Sequence, residues 1–179
     1  MTKLQLSLTP LESAMEWIAN LREELRPRGR SLDPLEHHSL QPFAETNVLH
    51  GIRVVEMDDL TEINDSVFDS YFSKSVRPIE LNKIVGLTLV DTICLARNRI
   101  DNDAHRLAIL FQETVHVYQF KQFGVRGFVH AYLEGWEKNG QSHEDIPLER
   151  KAALLRARFE RNKSDHFSIE RELIDEISM

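Results

Sequence analysis

Asp101-Asn102-Asp103-Ala104-His105-Arg106-Leu107-Ala108-Ile109-Leu110-Phe111-Gln112-Glu113-Thr114-Val115-His116-Val117-Tyr118-Gln119-Phe120-Lys121-Gln122-Phe123-Gly124 is the stretch on which the reading of this chain turns. It has the marks of one long helix. Asp101, Asn102 and Asp103 offer capping side chains and negative charge at the positive end of the helix dipole. Lys121 and Gly124 supply a stop signal at the other end. At about 100° per residue, Leu107, Leu110, Phe111, Thr114, Val115, Val117 and Tyr118 cover much of the circumference, so the helix should be mostly buried. A narrow polar stripe remains. His105, Gln112, His116 and Gln119 fall within roughly 60° of one another, with Glu113 beside them. Such a stripe either faces solvent or lines a cavity.

The stripe carries chemistry. Residues four apart on a helix project side by side. In the motif His-Glu-x-x-His two such imidazoles share one zinc, and the Glu activates the metal-bound water. Here Glu113 and His116 keep two of the three parts, and Gln112 stands where the first His belongs. A neutral amide oxygen is a poor zinc donor beside imidazole, thiolate or carboxylate. Any zinc site is therefore expected to be much weakened. His105 cannot replace the missing imidazole, because it lies about 10 Å back along the axis from Gln112.

Outward from the helix, the chain resembles a family of small bacterial zincin-like metallopeptidases. Three segments between Gly86 and Ala152 carry the resemblance. Thr88-Leu89-Val90-Asp91-Thr92-Ile93-Cys94-Leu95 is similar to the family's strand pair T-L-x-x-T-I-x-L. Gln112-Glu113-Thr114-Val115-His116-Val117-Tyr118-Gln119 is similar to H-E-x-x-H-V-x-Q except at Gln112. Pro147-Leu148-Glu149-Arg150-Lys151-Ala152 is similar to P-x-E-x-E-A except at Lys151. The resemblance implies an α+β, zincin-like fold: a small mixed or antiparallel sheet packed on a central active-site helix, with further helices. It implies Glu149 as the third protein ligand, beside His116 and the Gln112 position, and Glu113 as general base. It also implies that a strand before the helix borders the cleft. An edge near Thr88–Leu95 would then take a peptide or protein strand. Where no metal is held, Lys151 could pair with a carboxylate of the site.

Composition bounds the alternatives. The 179 residues suit one domain with a sizeable core. Residues 1–46 read as an N-terminal helix and connection, 47–162 as the core, and 163–179 as a C-terminal helix or tail. The net charge of −7 argues against nucleic acid as a bulk electrostatic partner. The start lacks a long apolar run and no stretch is long enough to span a bilayer, so a cytoplasmic location without membrane contact is expected. The oligomeric state is not legible. The single cysteine, Cys94, excludes an internal disulfide and reads as core.

Along the chain, Thr9-Pro10-Leu11-Glu12 is a helix start with a capping box. Leu11, Met15, Ile18, Leu21 and Leu25 follow at helical spacing, to Pro27 and Gly29. Residues 28–46 read as a long connection, with His37 and His38 as solvated loop histidines. Val48–Met57 reads as a strand and Thr61–Phe72 as partly helical. Ile84–Ala96 reads as two short strands around Val90-Asp91, although a tight turn there usually wants Gly or Asn. Phe128–Trp136 reads as a separate helix carrying His130, a surface or hydrogen-bonded core histidine. Pro147 opens a helix with Leu148, Ala152, Leu155 and Phe159 on one face and Arg150, Lys151, Arg156, Arg158 and Arg161 on a basic side. Ile169, Leu173 and Ile177 mark the last helix.

Three functions follow. In the first, the domain keeps the zincin frame, has lost zinc hydrolysis and serves as a binding or regulatory module. In the second it is an active metal-dependent peptidase. In the third, Glu113 and His116 are a hydrogen-bonded core pair in a structural protein.

Overall fold

The computed structural model describes residues 9–63, 80–140, 142–162 and 164–174. The protein is a mixed α+β structure, with helices α1 (Pro10–Leu25), α2 (Pro34–Leu40), α3 (Thr46–Gly51), α4 (Asp103–Lys138), α5 (Pro147–Arg161) and α6 (Ile169–Ile174), and strands β1 (Arg53–Met57), β2 (Gly86–Leu89) and β3 (Thr92–Ala96). The sheet order is β1-β3-β2, with β1 parallel and β2 antiparallel to β3.

Alternate side chains along the sheet divide the core in two, as the two-residue period of a strand requires. Val55, Met57, Leu87, Leu89, Cys94 and Ala96 pack with α1 and the second half of α4. Val54, Ile93 and Leu95 pack with the first half of α4, α5 and α6. The second layer centres on Phe111 and Phe159, stacked at 4.4 Å, with the Phe43 ring edge-on to both. The apolar face expected for α5 is buried at Leu148, Ala152, Leu155 and Phe159.

Several boundaries differ from the sequence reading. The connection 28–46 contains α2, whose Asp33 and Glu36 form a capping box with Pro34 at the first helical position. Asp33-Pro34-Leu35-Glu36 thus repeats the device of Thr9-Pro10-Leu11-Glu12, which starts α1 as expected. His37 therefore lies on a helix, stacked on His50 at 5.2 Å. The first half of Val48–Met57 is helical, and the strand begins only at Arg53. Gly124 does break α4, with φ 65° and ψ 170°, but the chain re-enters a helix at once and runs on through Phe128 and Trp136. Glycine tolerates that left-handed φ, so it kinks the element where a stop was expected. Leu60–Glu62 is a single 3-10 turn, and the rest of the helix expected at 61–72 lies outside the described residues, as does Ile177.

The β2–β3 hairpin is tight despite having no glycine. Val90 adopts φ 63°, and the Asp91 N–H donates to the Leu89 carbonyl at 2.8 Å. That places a β-branched residue at the centre of a strained γ-turn. What holds it is Asp91, whose carboxylate accepts from Arg22 Nε and Nη2 at 2.7 and 2.8 Å and faces Arg26 at 3.5 Å. Desolvation would raise the Asp91 carboxyl, but Arg22 outweighs it and holds the group below its usual range. Asp91→Ala should cost about 1–2 kcal/mol in urea unfolding, since the pair is a charge-assisted fork at a partly exposed site.

Candidate functional site

The middle of the polar stripe of α4 lines a cavity of about 330 Å³. Gln112, Glu113 and His116 form one wall. Glu149 and Arg156 come from α5, His143 from the turn before it, and Tyr132 and Phe128 from the second half of α4. Trp17 and Ile18 of α1 and Gly86–Thr88 of β2 close the other side. The volume is at the lower end for a small-molecule or side-chain pocket.

Residues 33 positions apart in the chain meet here. His116 Nε2 lies 3.3 Å from Glu149 Oε2, and both groups are buried. Pro147 explains the placement. It fixes the start of α5, so Glu149 sits in the first turn, next to the buried stripe of α4. The other ring nitrogen, Nδ1, is 2.8 Å from Gln119 Oε1, and Gln119 Nε2 donates to the Leu148 carbonyl at 3.0 Å. Gln119 is thus a buried support that orients His116, and not a cavity residue.

Glu113 lies against the sheet. Thr88 Oγ1 donates to its Oε2 at 2.8 Å. Its carboxylate rests on the backbone of Gly86 so closely that a Cβ there would fall 2.5 Å from Oε1. Gly86→Ala should therefore push Glu113 off Thr88 and lower stability by about 1–3 kcal/mol. Thermal unfolding, with the carboxyl ¹³C shift of Glu113 as the local probe, checks both parts.

The charges are coupled. Burial pushes the Glu113 carboxyl up to about 7, against the pull of His116. Desolvation alone would lower His116, but the Glu149 carboxylate reverses this and holds the imidazole up at about 9. Glu149 is kept below its usual range, the cost of burial being outweighed by His116, with His143 and the Tyr132 hydroxyl adding to it. Both shifts favour an imidazolium–carboxylate pair between His116 and Glu149.

Two site residues escape sequence reasoning. His143 Nε2 stands 3.4 Å from Glu149 Oε1, so two imidazoles flank one carboxylate. No motif spacing marks it. Arg156 enters from α5, and its Nη1 donates to Gln112 Oε1 at 3.2 Å. The sequence pattern places it only on the basic side of that helix. Glu149 and Arg156 are seven apart, two helical turns, so they share a face, whereas Lys151 points about 200° away. The cation that reaches the site is thus Arg156 in place of Lys151. His130 is exposed and His105 contacts Asp101, so neither joins the site. Cys94 is buried, and burial pushes its thiol up to about 12, which makes it an inert core residue.

Zinc does not fit these donors as they stand. Gln112 Oε1 is occupied by a guanidinium, which sets a fixed positive charge beside the position of the first imidazole. Among the described residues, no three His, Cys, Asp or Glu side chains are grouped so that they could hold a metal ion.

Of the strand pair expected at the edge, only half is one. β3 is central, so Thr92–Leu95 is paired on both sides. β2 has no strand on its outer side among the described residues, and it is β2 that borders the cavity. None of the helices described is long and apolar enough to cross a membrane. No protein-family model matches the chain, and no curated protein and no solved structure matches it.

Proposed function

We propose that this is a zincin-like domain whose metal site has been lost and whose cavity now serves binding, in a regulatory or recognition role. The observation that carries this reading is the meeting of Glu113, His116 and Glu149 in one cavity, with Gln112 turned to Arg156. A structural core pair would need neither a cavity nor a carboxylate brought from a distant helix. The imidazolium of His116 balances Glu149 where a metal would otherwise do so. An extended ligand would lie along Gly86–Leu89, whose outer edge, unpaired among the described residues, borders the cavity.

One observation favours the competing reading, an active metal-dependent peptidase with Glu113 as base and His116 and Glu149 as ligands. The Glu113 carboxyl, raised to about 7, has the value that suits a general base at neutral pH. Metal analysis separates the two. Protein purified without a chelating column and then titrated with zinc by calorimetry is expected to take up no stoichiometric metal. One zinc per chain together with peptide cleavage would overturn the proposal.

A further inference from the structure

The guanidinium of Arg156 is under-used. Its Nη1 makes one long bond to a neutral amide, at 3.2 Å. Its Nε is buried without a hydrogen-bond partner, the nearest carboxylate, Glu160 Oε2, lying 3.5 Å away. A guanidinium in such a setting is short of acceptors, since its five donors match the two oxygens of a carboxylate. Gln112 adds to this. With its oxygen taken by Arg156, the amide has its N–H₂ end to offer. Both groups line the cavity.

The acidic side chains nearby do not close this corner to an anion. Glu149 already faces His116, His143 and the Tyr132 hydroxyl. Glu113 accepts from Thr88 and rests against β2. Beyond these groups the lining carries Lys83 and Glu144, and the rest is mostly apolar and aromatic, with Trp17, Ile18, Phe128, Val129 and Leu133. A dianion such as a phosphate would meet three lining carboxylates, Glu113, Glu144 and Glu149, across a small space, whereas a monoanion with an apolar body is repelled less and matches both ends of the cavity.

We propose that the cavity binds a carboxylate attached to an apolar or aromatic body, with the carboxylate held by Arg156 and the Gln112 amide. This deepens the reading of the domain as a binding module, and rests on the cavity being its binding site. A free chain terminus ending in a large apolar residue and a small aromatic acid present the same chemistry.

Calorimetry on the full chain in the presence of a chelator tests it, with N-acetyl-phenylalanine and N-acetyl-phenylalaninamide as the probes. The acid is expected to bind roughly tenfold or more tightly than the amide, as loss of a charge-assisted pair predicts. Arg156→Gln should remove that preference, and Arg156→Lys should restore part of it. In the unmutated protein, the acid should shift the side-chain amide resonances of Gln112, a readout that does not depend on how a variant folds. Heptapeptides ending in Phe, with free and amidated C-termini, separate the two sources. Tighter binding of the free-ended peptide than of the small acid points to a chain terminus. Equal binding of acid and amide, an unchanged preference in both Arg156 variants, or no binding of either probe up to about 10 mM, a contact worth less than about 3 kcal/mol, would overturn the carboxylate assignment. None of these outcomes bears on metal loss, which the zinc titration reads separately.

Discussion

Gln112→His is expected to tighten zinc binding by about three orders of magnitude. The substitution restores an imidazole four residues before His116, on the same face of α4 and opposite Glu149. Second-shell changes at zinc sites alter affinity by about 10–100-fold, and a full ligand should do more, so a gain on the order of 10³-fold is expected. That is about 4 kcal/mol. Zinc at a hundredfold excess over its dissociation constant would stabilise the variant by about 2.7 kcal/mol. For a chain of this size the melting temperature should rise by roughly 5–10 °C on adding zinc, and fall back with chelator. Arg156 opposes this by placing its charge against the new ligand. Adding Arg156→Gln to Gln112→His should therefore tighten zinc further. If Gln112→His melts identically with and without zinc, Glu113, His116 and Glu149 are not the remains of a metal centre, and the zincin-like reading fails with them.

The second large effect lies away from the cavity. Glu36 is buried, and accepts from both Nη atoms of Arg30, at 2.7 and 2.9 Å, and from Arg106. Glu56 completes the group, bonded to the same two arginines at 2.9 and 2.6 Å. This quartet ties α2 to β1 and to the start of α4. Burial would raise the Glu36 carboxyl, but Arg30 and Arg106 more than offset that and hold it at about 2. Removing one member of a buried charge group leaves its partners uncompensated, at about 3–5 kcal/mol. Arg30 is 39% exposed and can rehydrate, so Glu36→Ala should cost about 3 kcal/mol in denaturant unfolding. The pH dependence has a definite sign. A carboxyl depressed in the folded state contributes stability that is complete above its unfolded value, near 4.5, and is lost as pH falls through about 2. The stability gap between wild type and Glu36→Gln should accordingly narrow from pH 5 to pH 2. A gap that stayed constant over that range would show that the quartet does not set the charge of Glu36.

Much of the architecture is local, and is legible for that reason. Thr9 and Glu12 cap α1 through groups three residues apart, and the apolar spacing of α5 alone picks out its buried face. The Asp33–Glu36 box is equally local, but two prolines and a histidine pair interrupt the apolar period that marks a helix. Gly124 shows a different limit. A glycine permits a left-handed residue, but whether the chain then stops or resumes its helix depends on what the next turn packs against. Here Phe128, Val129 and Tyr132 find the core beside α1 and β2.

That a mostly buried helix carries Gln112, Glu113 and His116 side by side follows from residue order alone, because helical periodicity is a property of the local backbone. Residue order also makes Glu149 a candidate through Pro147. That Gln112 and His116 face a cavity, and that His143 and Arg156 enter it while Lys151 does not, comes from the assembled fold. The His116–Glu149 and Gln112–Arg156 contacts join residues 33 and 44 positions apart, across element junctions whose angles come from packing in the two core layers and not from any neighbour in the chain. The charge of the site belongs to that second category too, since a carboxyl near 7 and an imidazole near 9 arise only once both are taken from water and set beside each other.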